Sequence, residues 1–481
     1  MTFTDDALGL SWIPAPGAGS AARKAWPRTA RLLWWLVRRP FIPVSVAAAA
    51  AVMIKYGALT GAVALLVVVA VLSVWEHAHP TSFDATAGRV LRGTWRSAWT
   101  YGLRWRASMM FAGLGGRLDG NEWIPRVVRV RAGRYCDRVT VRMVVGQQPT
   151  DWERRSDALA HAFGARSCRV ELVPGRPGYL ALGLGRTDRL VSVIDPLPVP
   201  ETVDLDAVPV GCTEDGETWC LAVSGGAHTL VAGCTGSGKG SVLWSLLRGL
   251  APAIRDGLVQ VWVCDPKGGM EFACGAPLFA RFAYRPHDTV ELLEEAAWTM
   301  TQRAERLRGI VRVHTPTADE PTILVVVDEL AYLTSYEPDP QLRKRATSAL
   351  SLLLSQGRGP AVTVIGAMQD PRKDSISFRD LFPVRVALRM VEAEQADMVL
   401  GKGARNRGAA CEQIPAVLPG VGYQLLDGEQ HPTRVRASWI SDDHIDALAR
   451  HDYPATQITG PVPVIIDLTH KARREREGRE S

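Results

Sequence analysis

Thr229-Leu230-Val231-Ala232-Gly233-Cys234-Thr235-Gly236-Ser237-Gly238-Lys239-Gly240-Ser241 is the stretch on which the reading of this chain depends. Its first four residues are apolar and strand-like, and its end runs into a helical pattern through Leu243, Leu246, Leu247 and Leu250. Gly233 to Lys239 fits the GxxxxGK phosphate-loop pattern. Glycines let successive backbone N–H groups turn toward phosphate oxygens, and the lysine reaches the outer phosphates. The helix N-terminus that follows favours negative charge. Gly233, Cys234, Thr235, Gly236, Ser237, Gly238, Lys239, Gly240 and Ser241 are therefore the expected nucleotide-binding residues. One position departs from the pattern. The residue after the lysine should carry a hydroxyl for Mg²⁺, and here it is Gly240, with Ser241 one residue late. Either Ser241 reaches the metal after a local adjustment, or water takes that position, as Mg²⁺ tolerates.

The other half of an ATP site lies downstream. Ile323 to Val327 is a continuous apolar run, as expected for a parallel strand covered on both faces, and it ends in Asp328-Glu329. A carboxylate at that strand end can hold Mg²⁺ (Asp328), and a glutamate beside it can orient and activate the attacking water (Glu329). Between loop and acids in the sequence lies another strand, Leu258 to Cys264, ending in Asp265-Pro266-Lys267-Gly268-Gly269. A strand interposed between the loop strand and the acidic strand, together with Glu329, marks the RecA-like class of P-loop ATPases. A further strand, Ala361 to Ala367, ends in Met368-Gln369, where Gln369 can touch the terminal phosphate or the lytic water. The expected fold is α/β: a mostly parallel sheet with helices on both faces.

Upstream, the character differs. Residues 1–40 end in a basic, tryptophan-bearing segment (Arg23, Lys24, Arg28, Arg31, Arg38, Arg39; Trp26, Trp34, Trp35). Phe41 to Ile54 is apolar, and Gly57 to Trp75 has no charge at all. About 20 apolar residues span a bilayer. A second basic cluster follows at Arg89, Arg92, Arg96, Arg104 and Arg106. Flanks rich in Lys and Arg stay cytoplasmic, so clusters on both sides predict two spans over 41–76 with a turn near Lys55–Gly61. Residues 77–124 then read as a basic juxtamembrane linker. Paired strands at 126–131 and 138–145, a helix over Asp151–Phe163, and strands at 168–173 and 179–184 read as a small α+β module over 125–200. Residues 196–209 are proline-rich and linker-like, the motor is expected over 205–440, and 441–481 reads as a tail.

Composition limits the partners. Among 481 residues, 47% are hydrophobic, which excludes a mostly disordered chain, and the net charge of +6 is only a mild basic bias. The eight cysteines show no CxxC spacing, so they fit a reducing compartment rather than a disulfide or zinc framework. His77 and His79 lack a nearby third ligand and read as flanking residues. Gly401-Lys402-Gly403-Ala404-Arg405-Asn406-Arg407-Gly408 and Arg372-Lys373 are basic stretches able to track phosphates or to sit solvated on the surface.

Leu230 to Lys239, Asp265-Pro-Lys-Gly268 with Glu271, Val327-Asp-Glu-Leu330, Gly357-Arg-Gly359 and Ala367-Met-Gln369 fall in the order seen in the FtsK/SpoIIIE family of DNA translocases. The Gly-Lys-Gly-Ser variant and the two amino-terminal spans look closest to actinobacterial members carried by integrative and conjugative elements. The resemblance implies a ring, expected to be hexameric, that threads double-stranded DNA in element transfer or chromosome partitioning. By that resemblance Lys239 binds phosphates, Asp328 the metal, Glu329 the water, and Gln369 senses the terminal phosphate. Arg358, just after the helix Leu342–Gln356, and Arg389, after strand Val384–Leu388, are the candidates for an arginine acting across the subunit interface. Many chromosome-partitioning members have a long linker and four spans, neither of which is expected here, and the forty or so residues after about 440 read as too few for the winged-helix domain that ends several members. A P-loop motor of a protein secretion system is the competing expectation.

Overall fold

A computed structural model describes residues 54–55, 57–118, 120–372 and 378–450. The basic segment 1–40, residues 41–53 of the first apolar run, Lys373 and residues 451–481 lie outside the described residues. The chain divides into two compact units, Met1–Val90 and Leu91–Ser481.

In the first unit, Gly57 takes φ 90° and hands the chain into helix α1, Ala58–Ala78. Leu59, Val63, Leu66, Val67, Val71 and Val74 are all exposed along it, so its apolar surface has no protein cover among the described residues. It is the one described helix long and apolar enough to cross a membrane. Trp75 at its end donates to Ser82 Oγ (2.9 Å) and meets Phe83 edge-on at 5.6 Å.

The second unit begins with a correction. Most of the stretch read as a juxtamembrane linker is helical, through α2 (Arg104–Phe111), followed by a short hairpin of Gly116–Leu118 with Asn121–Trp123. Tyr101, Trp105 and Met109 recur every fourth residue and are buried on one face, a periodicity masked in the sequence by the intervening arginines. They pack on a four-stranded antiparallel sheet of β1 (Arg126–Ala132), β2 (Cys136–Arg142), β3 (Ser167–Leu172) and β4 (Tyr179–Gly185), in the order β1-β2-β4-β3. The helix expected over Asp151–Phe163 is two: Pro149–Glu153, and α3 (Ser156–Ala162). Trp152, Leu159 and Phe163 still reach the same core, because the break at Arg154-Arg155 resets the helical phase. Asp137, fully buried, accepts hydrogen bonds from Tyr101 (2.8 Å) and Arg186 (2.8 Å) and pairs with Arg96, tying the helical segment to β2 and to the residue after β4.

The remaining strands form one ten-stranded sheet: β5 (Val208–Thr213), β6 (Thr218–Leu221), β7 (Thr229–Ala232), β8 (Val259–Cys264), β9 (Arg281–Ala283), β10 (Thr322–Val327), β11 (Val362–Met368), β12 (Val384–Leu388), β13 (Val421–Leu426) and β14 (Thr433–Ala437). Their order is β9-β8-β10-β11-β7-β12-β13-β14-β5-β6. The first six are parallel and the rest add antiparallel. Alternate strand residues divide between two cores. Val231, Val263, Val326 and Ile365 face α4 (Lys239–Arg255), whereas Leu230, Val325, Val364 and Met368 face α5 (Pro286–Leu307) and α6 (Pro340–Gln356). Burial on both faces explains why these strands read as unbroken apolar runs.

The strand between loop strand β7 and acidic strand β10 is β11, not Leu258–Cys264, whose strand β8 lies beyond β10. Sequence order does not give spatial order when crossover helices intervene, and the consequence is that Gln369 stands between the two halves of the site. The expected tail is corrected too: Asp442–Arg450 forms a helix, α7, whose Ile445 and Leu448 join the α4-side core.

Candidate functional site

The carboxyl ends of β7, β8, β10, β11 and β12 meet along one edge of the parallel sheet, where open α/β sheets bind ligands. The loop after β7 passes Gly236 (φ 70°) and Gly238 (φ 96°) before α4 starts at Lys239. A Cβ at Gly238 would collide with the backbone of Gly420, whose N–H donates to Ser237 O (2.8 Å). The first N–H groups of α4 have no intrahelical acceptor and face an anion's place, as any helix start does. Lys239 Nζ donates to Gly233 O (2.7 Å), curling back over the loop it is meant to complete, and burial lowers its pKa. Ser237 Oγ is buried with no hydrogen-bond partner among the described residues.

Asp328 and Glu329 follow β10 and are both buried. Burial pushes the Asp328 carboxyl up to about 6, against the pull of Lys267, and the charges of Asp265, Glu271 and Glu329 add to the rise. Glu329 is held from two sides: Oε1 accepts from the Gln369 N–H (3.2 Å), and Oε2 from Lys267 Nζ (2.8 Å). Lys267 also lies 3.9 Å from Asp328. Thr235 Oγ1 reaches Gln369 Oε1 at 3.4 Å, so loop, amide and glutamate form one linked chain. Lys267 had no assigned role in the sequence reading. Its motif was visible, but nothing in it shows that the residue after Pro266 leans across to the neighbouring strand's acids.

The two arginine candidates separate. Arg389 Nη2 donates to Thr235 O (3.0 Å), and its carbonyl accepts from the Cys234 N–H (3.0 Å), so it braces its own chain's loop. Arg358 is exposed before β11, at the opposite end of that seven-residue strand from Gln369, or roughly 20 Å away along the strand. Within one chain it does not join the site. Ser241 sits in the first turn of α4. The basic loop after Leu400 is folded onto acids: Asp397 accepts from the Gly403 and Arg405 N–H groups (2.9 and 2.8 Å), and Arg405 pairs with Glu412. Lys402 is exposed, and Arg372 lies 3.5 Å from both Asp370 and Glu392. His287, Asp288 and Glu291 form a further titratable group in the first turns of α5, which starts just after the carboxyl end of β9, with Glu291 partly buried.

An α/β sheet bearing a phosphate loop and a neighbouring acidic strand end is the signature of a P-loop nucleotide-binding protein, and family comparison narrows it. Residues 199–411 match the FtsK/SpoIIIE family, and residues 72–185 match the actinomycete conjugal transfer protein N-terminal domain. The chain carries an FtsK/SpoIIIE domain behind a conjugal-transfer amino-terminal domain. Transfer protein TraSA of Streptomyces ambofaciens is 26% identical over 341 residues, covering 66% of this chain and 79% of its own length. DNA translocase FtsK of Streptococcus pyogenes is 25% identical over 348 residues, 67% of this chain but 42% of its own length. Among solved structures, the pCW3 conjugation coupling protein TcpA, a monomer with ATPγS, aligns over 71% of this chain and 95% of its own at 18% identity and TM-score 0.47.

Proposed function

We propose that the chain is a membrane-anchored, Mg²⁺-dependent ATPase that moves double-stranded DNA, acting in conjugative or integrative element transfer. The observation that carries this reading is the convergence of Lys239, Asp328, Glu329 and Gln369 on one sheet edge of an FtsK/SpoIIIE domain. The names of its relatives, a transfer protein and DNA translocases, point the same way. A RecA-like motor over 205–440 would follow a small α+β module over 125–200, anchored by α1 and a second span upstream. The working form would be a ring, taken as a hexamer.

The residues fit a magnesium nucleotide. The loop leaves no room for a side chain at Gly233 or Gly238, Ser237 offers an unused hydroxyl, and Asp328 and Glu329 supply oxygen ligands of the kind Mg²⁺ takes. Bound Mg²⁺ would neutralise charge on the phosphoryl oxygens. Lys239 would leave the Gly233 and Cys234 carbonyls for the outer phosphates. Glu329, released from Lys267 at Oε2, would accept the proton of the attacking water. Gln369, bonded through its N–H to Glu329 and through its side chain to Thr235, would report the state of the loop. Arg389 would steady the loop in its own subunit, and Arg358 would serve a neighbour's site.

The test is ATP turnover by the detergent-extracted full chain with and without duplex DNA. Stimulation that fades as salt rises supports the reading, because phosphate contacts are salt-dependent. Turnover indifferent to duplex DNA at every salt concentration refutes it.

A further inference from the structure

The departure at Gly240 has a partner. A Cβ built on Gly240 would meet the Glu271 carboxylate: Oε1 well inside contact distance, Cδ at 3.2 Å and Oε2 at 3.8 Å. A serine or threonine hydroxyl hangs from that Cβ, so a carboxylate oxygen fills the space where the missing hydroxyl would be. Glu271 is exposed as a residue and so is open to a ligand, yet its backbone is fixed. Asp265 Oδ2 accepts from the Glu271 and Phe272 N–H groups (3.0 and 3.2 Å). Phe272 is buried against Trp244 of α4, with ring centroids 5.1 Å apart, which locks this turn to the helix that Gly240 opens. Asp265 is itself fully buried, and its second oxygen, Oδ1, has no hydrogen-bond partner among the described residues. A fully buried carboxylate oxygen without a donor is costly unless a cation or water completes it. The two lysines of the described site are engaged elsewhere, Lys267 with Glu329 and Lys239 with the Gly233 and Cys234 carbonyls.

Resting on the magnesium-nucleotide reading above, we infer that Glu271 replaces the absent phosphate-loop hydroxyl in holding Mg²⁺, with Asp265 as its positioning residue. Gly240 is then half of a matched pair: the loop gives up its side chain, and the turn after β8 supplies a carboxylate from across the cleft. Carboxylate oxygen is a stronger partner for a hard dication than a neutral hydroxyl. The exchange also links metal capture to the β8 turn, which carries Lys267 as well.

The experiment uses the detergent-extracted full chain and the fluorescent nucleotide mant-ATP, titrating Mg²⁺ after removal of metal with EDTA. Loss of a metal-holding group raises the Mg²⁺ concentration at half-maximal binding, by about tenfold or more on the scale of metal-site mutations. E271Q is expected to show that shift, with metal-free mant-ATP binding no weaker than the parent's because a negative charge beside the phosphates has been removed. E271A is expected to shift likewise, and E271A/G240S, which restores the hydroxyl in the vacated space, to recover most of the loss. The assignment is overturned if E271Q matches the parent's Mg²⁺ dependence, or if E271A/G240S does no better than E271A. Parent protein that binds mant-ATP with no Mg²⁺ dependence overturns the magnesium-nucleotide reading itself, a result distinct from either of those.

Discussion

His228 offers a pH test of how the loop strand is held. It lies just before β7 and is 2% exposed; its Nδ1 accepts from the Val364 N–H (3.0 Å) in the middle of β11. Burial lowers its pKa to about 4, opposed by a hydrogen bond to the Leu354 backbone. Because the folded pKa is depressed below the unfolded value near 6.5, the stabilisation is fully present above pH 6.5. It is lost as pH falls through that value toward 4. With one pKa unit worth about 1.36 kcal/mol, the full loss is roughly 3 kcal/mol, of which about 2 kcal/mol is gone at pH 5. For a sheet domain of this size that is a drop of roughly 4–8 °C in melting temperature. The perturbation is H228N, whose amide oxygen can still accept from Val364 but does not titrate. Scanning fluorimetry at matched heating rates from pH 7 to pH 5 should show the parent losing those degrees relative to H228N. Parallel curves for the two proteins would refute the reasoning.

Other outcomes follow from the same geometry. Lys239→Ala should lose at least about 100-fold in ATP turnover, the scale of removing one preorganised charge-stabilising donor, as read by phosphate release. Glu329→Gln should keep mant-ATP binding and lose about 10²–10⁴-fold in turnover, the range for a general base. Gly238→Ala, forced into φ 96° against Gly420, should abolish mant-ATP binding while the far-ultraviolet circular dichroism is unchanged. Arg389→Ala should weaken nucleotide binding, whereas Arg358→Ala should spare binding and lower turnover only at concentrations where subunits assemble. Asp137→Ala removes the buried acceptor shared by two partly buried arginines and Tyr101 and should destabilise the four-stranded sheet by about 3 kcal/mol, measured by urea unfolding of its tryptophan signal.

The gathering of the candidate residues at one sheet edge was legible because each part sits within a few residues of its strand. Gly233–Lys239, Asp328-Glu329 and Gln369 each announce a turn at a buried strand's end. What escaped was whatever depended on two distant segments touching. Gly420 closing on Gly238, Lys267 crossing to Glu329, and Glu271 filling the space beside Gly240 all join segments whose adjacency is fixed only by strand order. The strand order was misjudged for a related reason: β8 precedes β10 in sequence, but a long crossover carries the chain back to insert β11 between β10 and β7. The helical stretch before β1 hid behind its arginines, and α7 hid behind three acids in a short run.

Gly420 has a consequence for the order in which the molecule matures. The N–H that ties down Ser237 belongs to a residue synthesised long after the glycine loop, at the entrance to an antiparallel strand. A nascent chain that has just extruded α4 therefore owns the residues of a nucleotide pocket without the brace that sets them. Loop and brace meet only once β13 has emerged and docked beside β12, so the final setting of the loop waits on the far end of the domain.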